Sequence, residues 1–257
     1  MIDFHNHILP NVDDGSKSMN MTIEMLLEAH AQGITDVVNT VHFQHPKFGG
    51  KEISFKLIRN KTLMLQNELK KRRIPIKIHI GAEVFYLPNL LSLKDKPLTT
   101  FGNGKYMLIE FQTNHIPDKH RETLFNLKMK GVTPIIAHPE RYHSVQKDIN
   151  LVYDWLNAGC IIQVDAGSLL GLMGKSALEA SQVILKQHWC QVIGSDAHDN
   201  KKRNFVLNDG LNISKKLVGN VANNYVFDHP KAILEGKAIK IKSIERFKTP
   251  KKYFWNL

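Results

Sequence analysis

Short apolar and β-branched segments alternate with longer amphipathic segments along almost the whole chain, and this alternation limits the fold more than any other feature of the sequence. Each short segment is typical of a buried strand, and each longer segment has the apolar spacing of a helix packed on one face. Repeated strand–helix units make the strands parallel and place the helices outside the sheet. The sequence therefore predicts an α/β protein that is either a closed barrel or a doubly wound sheet.

The alternation predicts seven strands and six longer helices. The predicted strands are residues 2–8, 36–43, 76–85, 106–111, 133–138, 160–165 and 191–195. The predicted helices are residues 19–32, 52–72, 118–130, 146–157, 176–186 and 201–217. The length of 257 residues suits a single domain of this kind.

The positive charge of the chain is concentrated near its C-terminus. The formal net charge is +11, and residues 201–257 contain thirteen Lys or Arg against four Asp or Glu. Such a segment favours acidic partners, including nucleic acid, anionic lipid and phosphorylated protein, but a merely solubilising surface has the same composition. The basic, aromatic stretch at residues 251–255 is either a docking arm or a segment folded back on the domain, and we favour the second.

The sequence carries no signal for membrane insertion or secretion. No apolar run reaches the roughly 18 residues that a membrane span needs, and the first residues lack a basic patch followed by an apolar stretch. We therefore expect a cytoplasmic protein in which Cys160 and Cys190 are buried apolar side chains rather than a disulfide. The sixth residues after these cysteines are Ala166 and Asp196, so neither cysteine has the Arg of a thiolate phosphatase loop.

Metal-capable side chains occur at or just after the ends of six predicted strands. In a parallel barrel these ends share one rim, where active sites of such folds are built. So many acids and imidazoles in one cleft are costly unless cations bind them. A nitrogen and oxygen set without thiolate suits Mn²⁺, Fe, Zn²⁺ or Co²⁺, and nine ligands are enough for two or three ions. Eight candidates are His5, His7, His42, Glu83, Glu110, His138, Asp196 and His198, and the loop just after the first strand adds Asp13 or Asp14.

The motifs that contain these residues, in this order, resemble the polymerase and histidinol phosphatase (PHP) superfamily. They are His5-Asn6-His7, Thr40-Val41-His42, Gly81-Ala82-Glu83, Ala137-His138-Pro139 and Gly194-Ser195-Asp196-Ala197-His198. Further segments resemble the bacterial manganese-dependent tyrosine phosphatases of capsule and exopolysaccharide operons. These are Leu9-Pro10-Asn11-Val12-Asp13-Asp14-Gly15-Ser16, Leu108-Ile109-Glu110-Phe111 and His138-Pro139-Glu140-Arg141-Tyr142. The resemblance extends from residue 1 to about residue 240.

The resemblance implies a fold and a cofactor. We expect one PHP metallophosphoesterase domain over residues 1–257, with a basic C-terminal segment from about residue 201. It would be a distorted TIM-like (βα)7 barrel of the PHP type, with the metal site at the C-terminal ends of the strands. The resemblance favours Mn²⁺, with two or three ions per site, and Fe, Co²⁺, Zn²⁺ or Mg²⁺ would also suit these ligands.

The resemblance also implies a role for each site residue. The three ions would be held by His5, His7, Glu83 and Asp196, by Glu83, Glu110 and His138, and by Asp14, His42 and His198. Arg141 and Arg203 would hold the phosphoryl group. His42 or His198 could act as a general acid if metal does not occupy it fully. Where the family has Thr-Pro-His-His, this chain has Thr40-Val41-His42-Phe43, and an additional His45 follows, which leaves open whether His45 assists His42.

The leading hypothesis is a metal-dependent protein-tyrosine phosphatase that uses metal-activated hydroxide. Its substrate would be a bacterial tyrosine kinase tail that regulates capsule or exopolysaccharide synthesis, which would place the enzyme in peripheral contact with a membrane kinase. The first alternative is a phosphoesterase for histidinol phosphate, another small molecule or a nucleic-acid end, although no stable nucleic-acid partner is expected. The second is a non-catalytic module that binds phosphoproteins. Tyr86 and His115 follow the third and fourth strands, where they would either line the substrate mouth or pack at the rim.

Overall fold

Seven parallel strands form one sheet whose spatial order follows the order of the chain. The structure is a computed structural model that describes residues 1–49, 53–241 and 243–248. The strands are β1 (Ile2–Asn6), β2 (Asp36–Phe43), β3 (Lys77–Phe85), β4 (Tyr106–Glu110), β5 (Thr133–Ala137), β6 (Ile161–Asp165) and β7 (Val192–Gly194). All seven predicted strands are confirmed, with ends that differ by at most two residues.

The sheet curls until its first and last strands meet. Asn6, at the end of β1, forms a parallel bridge with Ala197, just after β7. Two backbone hydrogen bonds close this seam, one from His7 N–H to the Ala197 carbonyl (2.8 Å) and one from Asp196 N–H to the His5 carbonyl (2.7 Å). The prediction of a barrel is therefore confirmed, and the doubly wound alternative is wrong. The distorted closure joins the residues that carry two of the predicted ligand motifs.

Helices cover the outside of the barrel between the strands. They are α1 (Met19–Ala31), α2 (Phe55–Lys71), α3 (His120–Met129), α4 (His143–Lys147), α5 (Asn150–Asn157), α6 (Ala166–Leu169), α7 (Lys175–Lys186), α8 (Leu207–Val218) and α9 (Asp228–Leu234). Short 3-10 turns add Pro46–Phe48, Leu90–Leu93, Pro139–Arg141 and Gly219–Tyr225. Cys160 and Cys190 are buried free thiols, as predicted. Among the described residues, none of the helices is long and apolar enough to cross a bilayer.

Two predicted helices have different bounds in the structure, and a local side-chain hydrogen bond explains each difference. The helix predicted at residues 146–157 is interrupted at Asp148, whose carboxylate accepts the Asn150 N–H (3.0 Å) and starts α5. The helix predicted at residues 201–217 begins only at Leu207, because Asp199 Oδ1 accepts the N–H groups of residues 201–203 in a tight turn. Asp side chains compete in this way with helical hydrogen bonds. The predicted start of the second helix, at residue 52, and the terminal stretch 251–255 lie outside the described residues.

The inner face of the barrel is apolar at its lower end and polar at its upper end. Side chains two or four residues apart on a strand share a face, so Val38 lies below His42 and Leu108 lies below Glu110. The lower, apolar cluster is closed from beneath by the Phe101 ring, 5.0 Å from the Phe4 ring. Its buried members are Phe4, Val38, Phe101, Tyr106, Leu108, Ile135, Ala137, Ile161, Val192 and Ile233.

A bulge in β1 allows two adjacent residues, Phe4 and His5, to face the inside of the barrel. Asp3 pairs with Val37 and Asn6 pairs with Asn39, so β1 has one residue more than β2 between these points. The extra residue breaks strict alternation. Phe4 can therefore join the apolar cluster while His5 and the next ligand reach the polar end.

We expect Phe101→Ala to lower the free energy of unfolding by about 3–5 kcal/mol, because it opens a cavity beneath the barrel. Urea denaturation followed by circular dichroism would measure this change. Phe125→Ala is the matched control, since that ring is 51% exposed on α3 and its loss should change the free energy by at most about 0.5 kcal/mol. Equal losses for the two variants would contradict the assignment of Phe101 to the barrel interior.

Candidate metal centre

All nine predicted ligands converge at the upper rim of the barrel. They form four overlapping groups, and within each group the candidate ligand atoms lie within 4.8 Å of one another. The groups are His7, Asp14, His42 and His198; His5, His7 and Asp196; His5, Glu83 and His138; and His42, Glu83 and Glu110. Residues far apart in the sequence are thus brought together by the strand ends, as the topology predicts.

The tightest set of ligand atoms is formed by His5, His7, Glu83 and Asp196. The two imidazole Nε2 atoms are 3.4 Å apart. Oε2 of Glu83 lies 3.3 Å from His5 Nε2 and 3.4 Å from His7 Nε2. Oδ1 of Asp196 lies 3.4 Å from each Nε2. Nearly equal separations of this size are those of donors arranged around one ion with bonds of about 2.1 Å.

Glu83 connects this set to the neighbouring ligands. Its Oε1 lies 2.9 Å from His138 Nε2, and its Oε2 lies 3.1 Å from His42 Nδ1. Glu110 stands beyond both imidazoles, with Oε2 3.6 Å from His42 Nδ1 and Oε1 4.0 Å from His138 Nε2. A carboxylate that faces two sets of ligands with different oxygens has the geometry of a bridging ligand.

A further set of ligand atoms surrounds Asp14 in the loop after β1. Its Oδ1 lies 3.3 Å from His42 Nε2 and 3.4 Å from His198 Nε2. Its Oδ2 contacts Lys47 Nζ at 2.9 Å. His42 therefore faces Asp14 with one ring nitrogen and Glu83 with the other, so it belongs to two neighbouring groups and not to one alone.

The electrostatics of the centre reflect crowded charges in a buried place. Burial by itself would lower the pKa of His5, but the charges of Glu83 and Asp196 outweigh it and raise the pKa to about 9. Burial, together with the charges of Glu83 and Asp196, raises the pKa of Glu110 well above its usual value. Burial and the nearby Arg141 charge lower the pKa of His138 to about 4. Metal-free protein at neutral pH therefore holds a proton on His5 and leaves His138 neutral, and the shift at Glu110 favours its protonated form.

Several buried ligand atoms have no hydrogen-bond partner among the described residues. They are Asp14 Oδ1, His42 Nδ1, Glu83 Oε2 and Glu110 Oε2. Each belongs to one of the four groups and faces the space between them. Unsatisfied buried acceptors are costly, and mixed imidazole and carboxylate donors suit divalent transition metals. The residues present therefore fit a centre of metal ions.

Other side chains orient the imidazoles. His7 Nδ1 donates to Asp13 Oδ2 (2.9 Å), and His5 Nδ1 donates to Gln163 Oε1 (3.0 Å). His198 Nδ1 donates to the Asp196 carbonyl (2.8 Å). In each case Nδ1 carries the proton, which leaves the lone pair of Nε2 free to bind a metal. The orienting roles of Asp13 and Gln163 were not predicted from the sequence; the signal for Gln163 was its position on the inner face of β6, two residues before Asp165.

The backbone is strained at two ligand positions. His138 has φ of 32° and Asp196 has φ of 45°, in the left-handed region that residues other than glycine rarely adopt. Such strain concentrates at functional sites, where the surrounding structure holds it. Both residues directly follow a strand or lie two residues beyond it, so the turn aims the side chain across the barrel mouth.

Arg141 and Arg203 both bind the outer oxygen of Asp196. Arg203 Nη2 lies 2.6 Å from Asp196 Oδ2, and Arg141 Nη1 lies 2.5 Å from the same atom. The inner oxygen of this carboxylate faces His5 and His7. The turn at Asp199 brings Arg203 back to the centre, since the Arg203 carbonyl accepts the His198 N–H (2.7 Å). The two guanidinium groups therefore stand directly beside the candidate metal ligands.

Two buried acids, Glu140 and Asp165, lie next to Arg141. Glu140 Oε1 accepts the Asp165 N–H at 3.0 Å, and Asp165 Oδ2 lies 4.0 Å from Arg141 Nη1. Burial and the charge of Asp165 raise the pKa of Glu140 to about 8, and burial raises that of Asp165 to about 6 against the opposing charge of Arg141. In the sequence Glu140 is only part of a motif, and its pairing with Asp165 was not predicted.

Tyr86 and His115 both line a surface cavity of about 690 Å³ beside the centre. Tyr86 is also a packing residue, because its ring stacks on Phe111 at 4.8 Å and its hydroxyl donates to Thr123 (3.0 Å). Rim packing is therefore confirmed for Tyr86, and its place at a substrate mouth stays a prediction. His45, the additional imidazole, lies against His42 with ring centroids 5.0 Å apart.

Comparisons with known proteins agree with this geometry. The family described as capsular polysaccharide synthesis, CpsB/CapC, matches residues 1–235. CapC of Staphylococcus aureus is 33% identical over 216 residues, which make up 84% of each protein. The tyrosine-protein phosphatase YwqE of Bacillus subtilis is 30% identical over 240 residues, which make up 93% of each protein.

Solved structures give the same result for the fold. One from the pair YwqE of Bacillus subtilis and CpsB of Streptococcus pneumoniae, described as metal-dependent tyrosine phosphatases, has a TM-score of 0.91 and 30% identity. The match covers 97% of this chain and 100% of that one. Histidinol phosphate phosphatase of Lactococcus lactis has a TM-score of 0.56 at 14% identity, with 84% of this chain and 93% of that one covered, a likeness of fold alone.

We expect the affinity of the centre for Mn²⁺ to rise with pH between 6.5 and 8.5, because metal must displace the proton held by His5. Each displaced proton contributes up to about tenfold per pH unit. Competition with a chelator of known affinity would measure this rise. His138→Ala should weaken binding without removing the slope, since His138 is already neutral in this range. An affinity that does not change with pH would contradict the assignment.

Proposed function

The chain belongs to the CpsB/CapC family of capsular polysaccharide synthesis proteins, and we propose that it removes phosphate from phosphotyrosine in proteins as a metal-dependent tyrosine-protein phosphatase. One observation carries this proposal. Nine imidazole and carboxylate ligands converge on one rim with two guanidinium groups beside them. This arrangement combines sites for cations with donors for phosphoryl oxygens.

The first task of such a site is to neutralise the dianion of a phosphate monoester. Bound divalent ions would supply positive charge and would lower the pKa of a coordinated water towards neutrality. The protein holds the ligands for this task in fixed orientations, since Asp13 and Gln163 hold the rings of His7 and His5. Burial of the ligands excludes bulk water and strengthens every electrostatic interaction in the centre.

The two arginines are placed to bind the transferring phosphoryl group. Each has N–H groups beyond those that contact Asp196, and the side chains of Arg141 and Arg203 are 25% and 34% exposed. A planar guanidinium can donate two parallel hydrogen bonds to phosphoryl oxygens. Asp196 would then serve both as a metal ligand and as the anchor that holds the arginines at the rim.

Within this proposal the nine ligands hold two or three ions. The first site consists of His5, His7, Glu83 and Asp196, the second of Glu83, Glu110 and His138, and the third of Asp14, His42 and His198. Mn²⁺ is the proposed metal, because oxygen and imidazole donors without thiolate suit it. His42 and His198 are the two proposed general acids, and each faces Asp14 with its Nε2.

The proposed substrate is the phosphorylated tail of a bacterial tyrosine kinase that controls polysaccharide synthesis. The excess of basic residues after residue 201 supports this choice, because a multiply phosphorylated tail is strongly acidic. The proposal places the protein in the cytoplasm, with peripheral contact at a membrane kinase. Two buried free thiols agree with a reducing compartment.

We expect Mn²⁺-loaded protein to release phosphate from a phosphotyrosine peptide, and not from a phosphoserine peptide or histidinol phosphate, and to lose this activity with chelator. His138→Ala should lower kcat/KM at least about 100-fold, since it removes a ligand whose supporting contacts alone are worth 10–100-fold. Phosphate release and thermal unfolding would both be measured. His30→Ala is the matched control, because His30 is exposed on α1.

The alternatives have different outcomes in the same assay. Preference for histidinol phosphate would keep the metal centre and overturn the protein substrate. Stoichiometric peptide binding with no phosphate release across several metals would favour a binding module. Binding of nucleic acid that weakens steeply with salt would favour a polymeric substrate.

We expect Arg203→Lys to raise KM for the phosphotyrosine peptide about tenfold at saturating Mn²⁺, because an ammonium keeps the charge and loses the planar pair of donors. Inhibition by inorganic phosphate should weaken by a similar factor. Arg246→Lys is the control, since that side chain is exposed and pairs with Asp154. A loss of Mn²⁺ affinity with unchanged phosphate inhibition would instead assign Arg203 to positioning Asp196 alone.

A further inference from the structure

The candidate metal centre opens to the surface on two sides that differ in chemistry. On one side lie charged groups: Lys47 contacts Asp14, and Arg141 and Arg203 contact Asp196. On the other side Glu110 forms the inner end of a cavity of about 240 Å³. Its walls include His45, Pro46, Phe85 and Phe111. We call this cavity the aromatic slot.

We propose that the aromatic slot receives the phenyl ring of the phosphotyrosine side chain, with Phe85 and His45 as the residues that select for it. This inference rests on the proposed function, because it assigns the part of the substrate next to the phosphoryl group. The charged side would then hold the phosphoryl oxygens, while the slot holds the leaving group.

The depth of the centre favours a long, flat side chain. His5 and His7 are fully buried and Glu83 is 1% exposed, whereas the Glu110 side chain is 16% exposed at the base of the slot. A phosphoserine or phosphothreonine would have to bring its backbone into the slot to reach these ligands. A tyrosine spans the slot with its ring and keeps the backbone outside. The slot thereby discriminates by reach as well as by contact.

The walls have the geometry that favours an aromatic ring. His45 packs edge-on against Phe85, with ring centroids 4.7 Å apart and planes at 71°. Edge-to-face and offset contacts of this kind stabilise aromatic pairs beyond their buried area. Pro46 adds a rigid apolar surface with no N–H group. A phenyl ring packed against this wall would replace the solvent that covers it.

The orientation of His45 is fixed by a backbone hydrogen bond. Its Nδ1 accepts the Lys47 N–H at 3.1 Å at the start of the 3-10 turn Pro46–Phe48. A neutral ring in this state carries its proton on Nε2, and Nε2 lies 3.8 Å from Glu110 Oε2, beyond hydrogen-bond distance. His45 therefore presents an N–H donor at the inner end of the slot, where the ester oxygen of a bound phosphotyrosine would lie.

The slot adjoins the cavity of about 690 Å³ that Tyr86 and His115 line. The two cavities share Phe85, Phe111 and Gln112 as lining residues. A ring in the slot would thus lead its polypeptide backbone into an open groove. The position of the groove next to the slot favours the side chain of a protein as the occupant over a small free ester.

Binding of non-hydrolysable phosphonates to the Mn²⁺-loaded protein would test the slot without relying on turnover. Calorimetry would compare phenylphosphonate, methylphosphonate and inorganic phosphate. We expect Phe85→Ala to weaken phenylphosphonate binding about tenfold and to change the other two by less than twofold, because only the phenyl compound places a ring in the slot. Phe85→Leu, which keeps most of the apolar volume, should weaken phenylphosphonate binding about threefold.

The matched control is Phe43→Leu. Phe43 ends the neighbouring strand β2, and its ring lies under Lys96 Nζ at 5.7 Å outside the slot. All three ligands should bind this variant as they bind the wild type. Equal weakening of all three ligands by the Phe85 variants, or an unchanged ratio of phenylphosphonate to methylphosphonate affinity, would overturn the slot.

The failure of the proposed function has a separate signature. If the wild type releases no phosphate from phosphotyrosine peptides while phenylphosphonate binding still depends on Phe85, the function is overturned and the slot remains a site for aryl phosphate esters. If the peptide is turned over and neither turnover nor phenylphosphonate binding depends on Phe85, the proposed function stands and the slot is overturned. His45→Asn adds a second readout, since it removes the ring and should weaken phenylphosphonate more than inorganic phosphate.

Discussion

The concentration of carboxylates and imidazoles in a buried rim is the constraint on which the rest of the structure depends. Such a cluster is unfavourable without cations, because charged and polar groups lose their hydration when they are buried. Burial and the neighbouring acids raise the pKa of Glu110, and the neighbouring acids alone raise the pKa of His5. Glu83 moderates the cost of burial by facing four imidazoles at 2.9–3.4 Å. The capacity of the site to bind cations and the shifted pKa values of its residues thus have the same origin.

The barrel offsets the cost of this cluster because its lower end is apolar and only its upper end is polar. Each inward-facing row of a strand begins in the apolar cluster and ends at the rim, so the lower half supplies a conventional core. Two glycines make room for inward-facing rings: a Cβ at Gly81 would meet the Phe101 ring, and one at Gly194 would meet His5. The rigid lower half fixes the strand ends, and the strand ends fix the ligands. Stability and function therefore occupy different layers of one structure.

Much of this could be predicted from the sequence, because both signals are local. Strand and helix segments follow from apolar spacing, and ligands at strand ends meet because parallel strands share a rim. The two helix predictions with wrong bounds have a common cause, which is a side chain that accepts hydrogen bonds from the backbone close by. Asp148 divides one predicted helix, and Asp199 turns the chain before α8 and so carries Arg203 back to Asp196. Such competing hydrogen bonds leave no trace in an apolar pattern.

The sequence by itself determined the succession of strands and helices, the candidate ligands at the strand ends and the absence of the Arg of a thiolate phosphatase loop after either cysteine, since these depend on residue type and spacing. Only the tertiary structure decided the closure at Asn6 and Ala197, the bulge that turns both Phe4 and His5 inwards, and the partners that orient each imidazole. It also decided that the centre opens onto an aromatic slot. These features depend on distances between residues far apart in the chain, and only packing sets those distances.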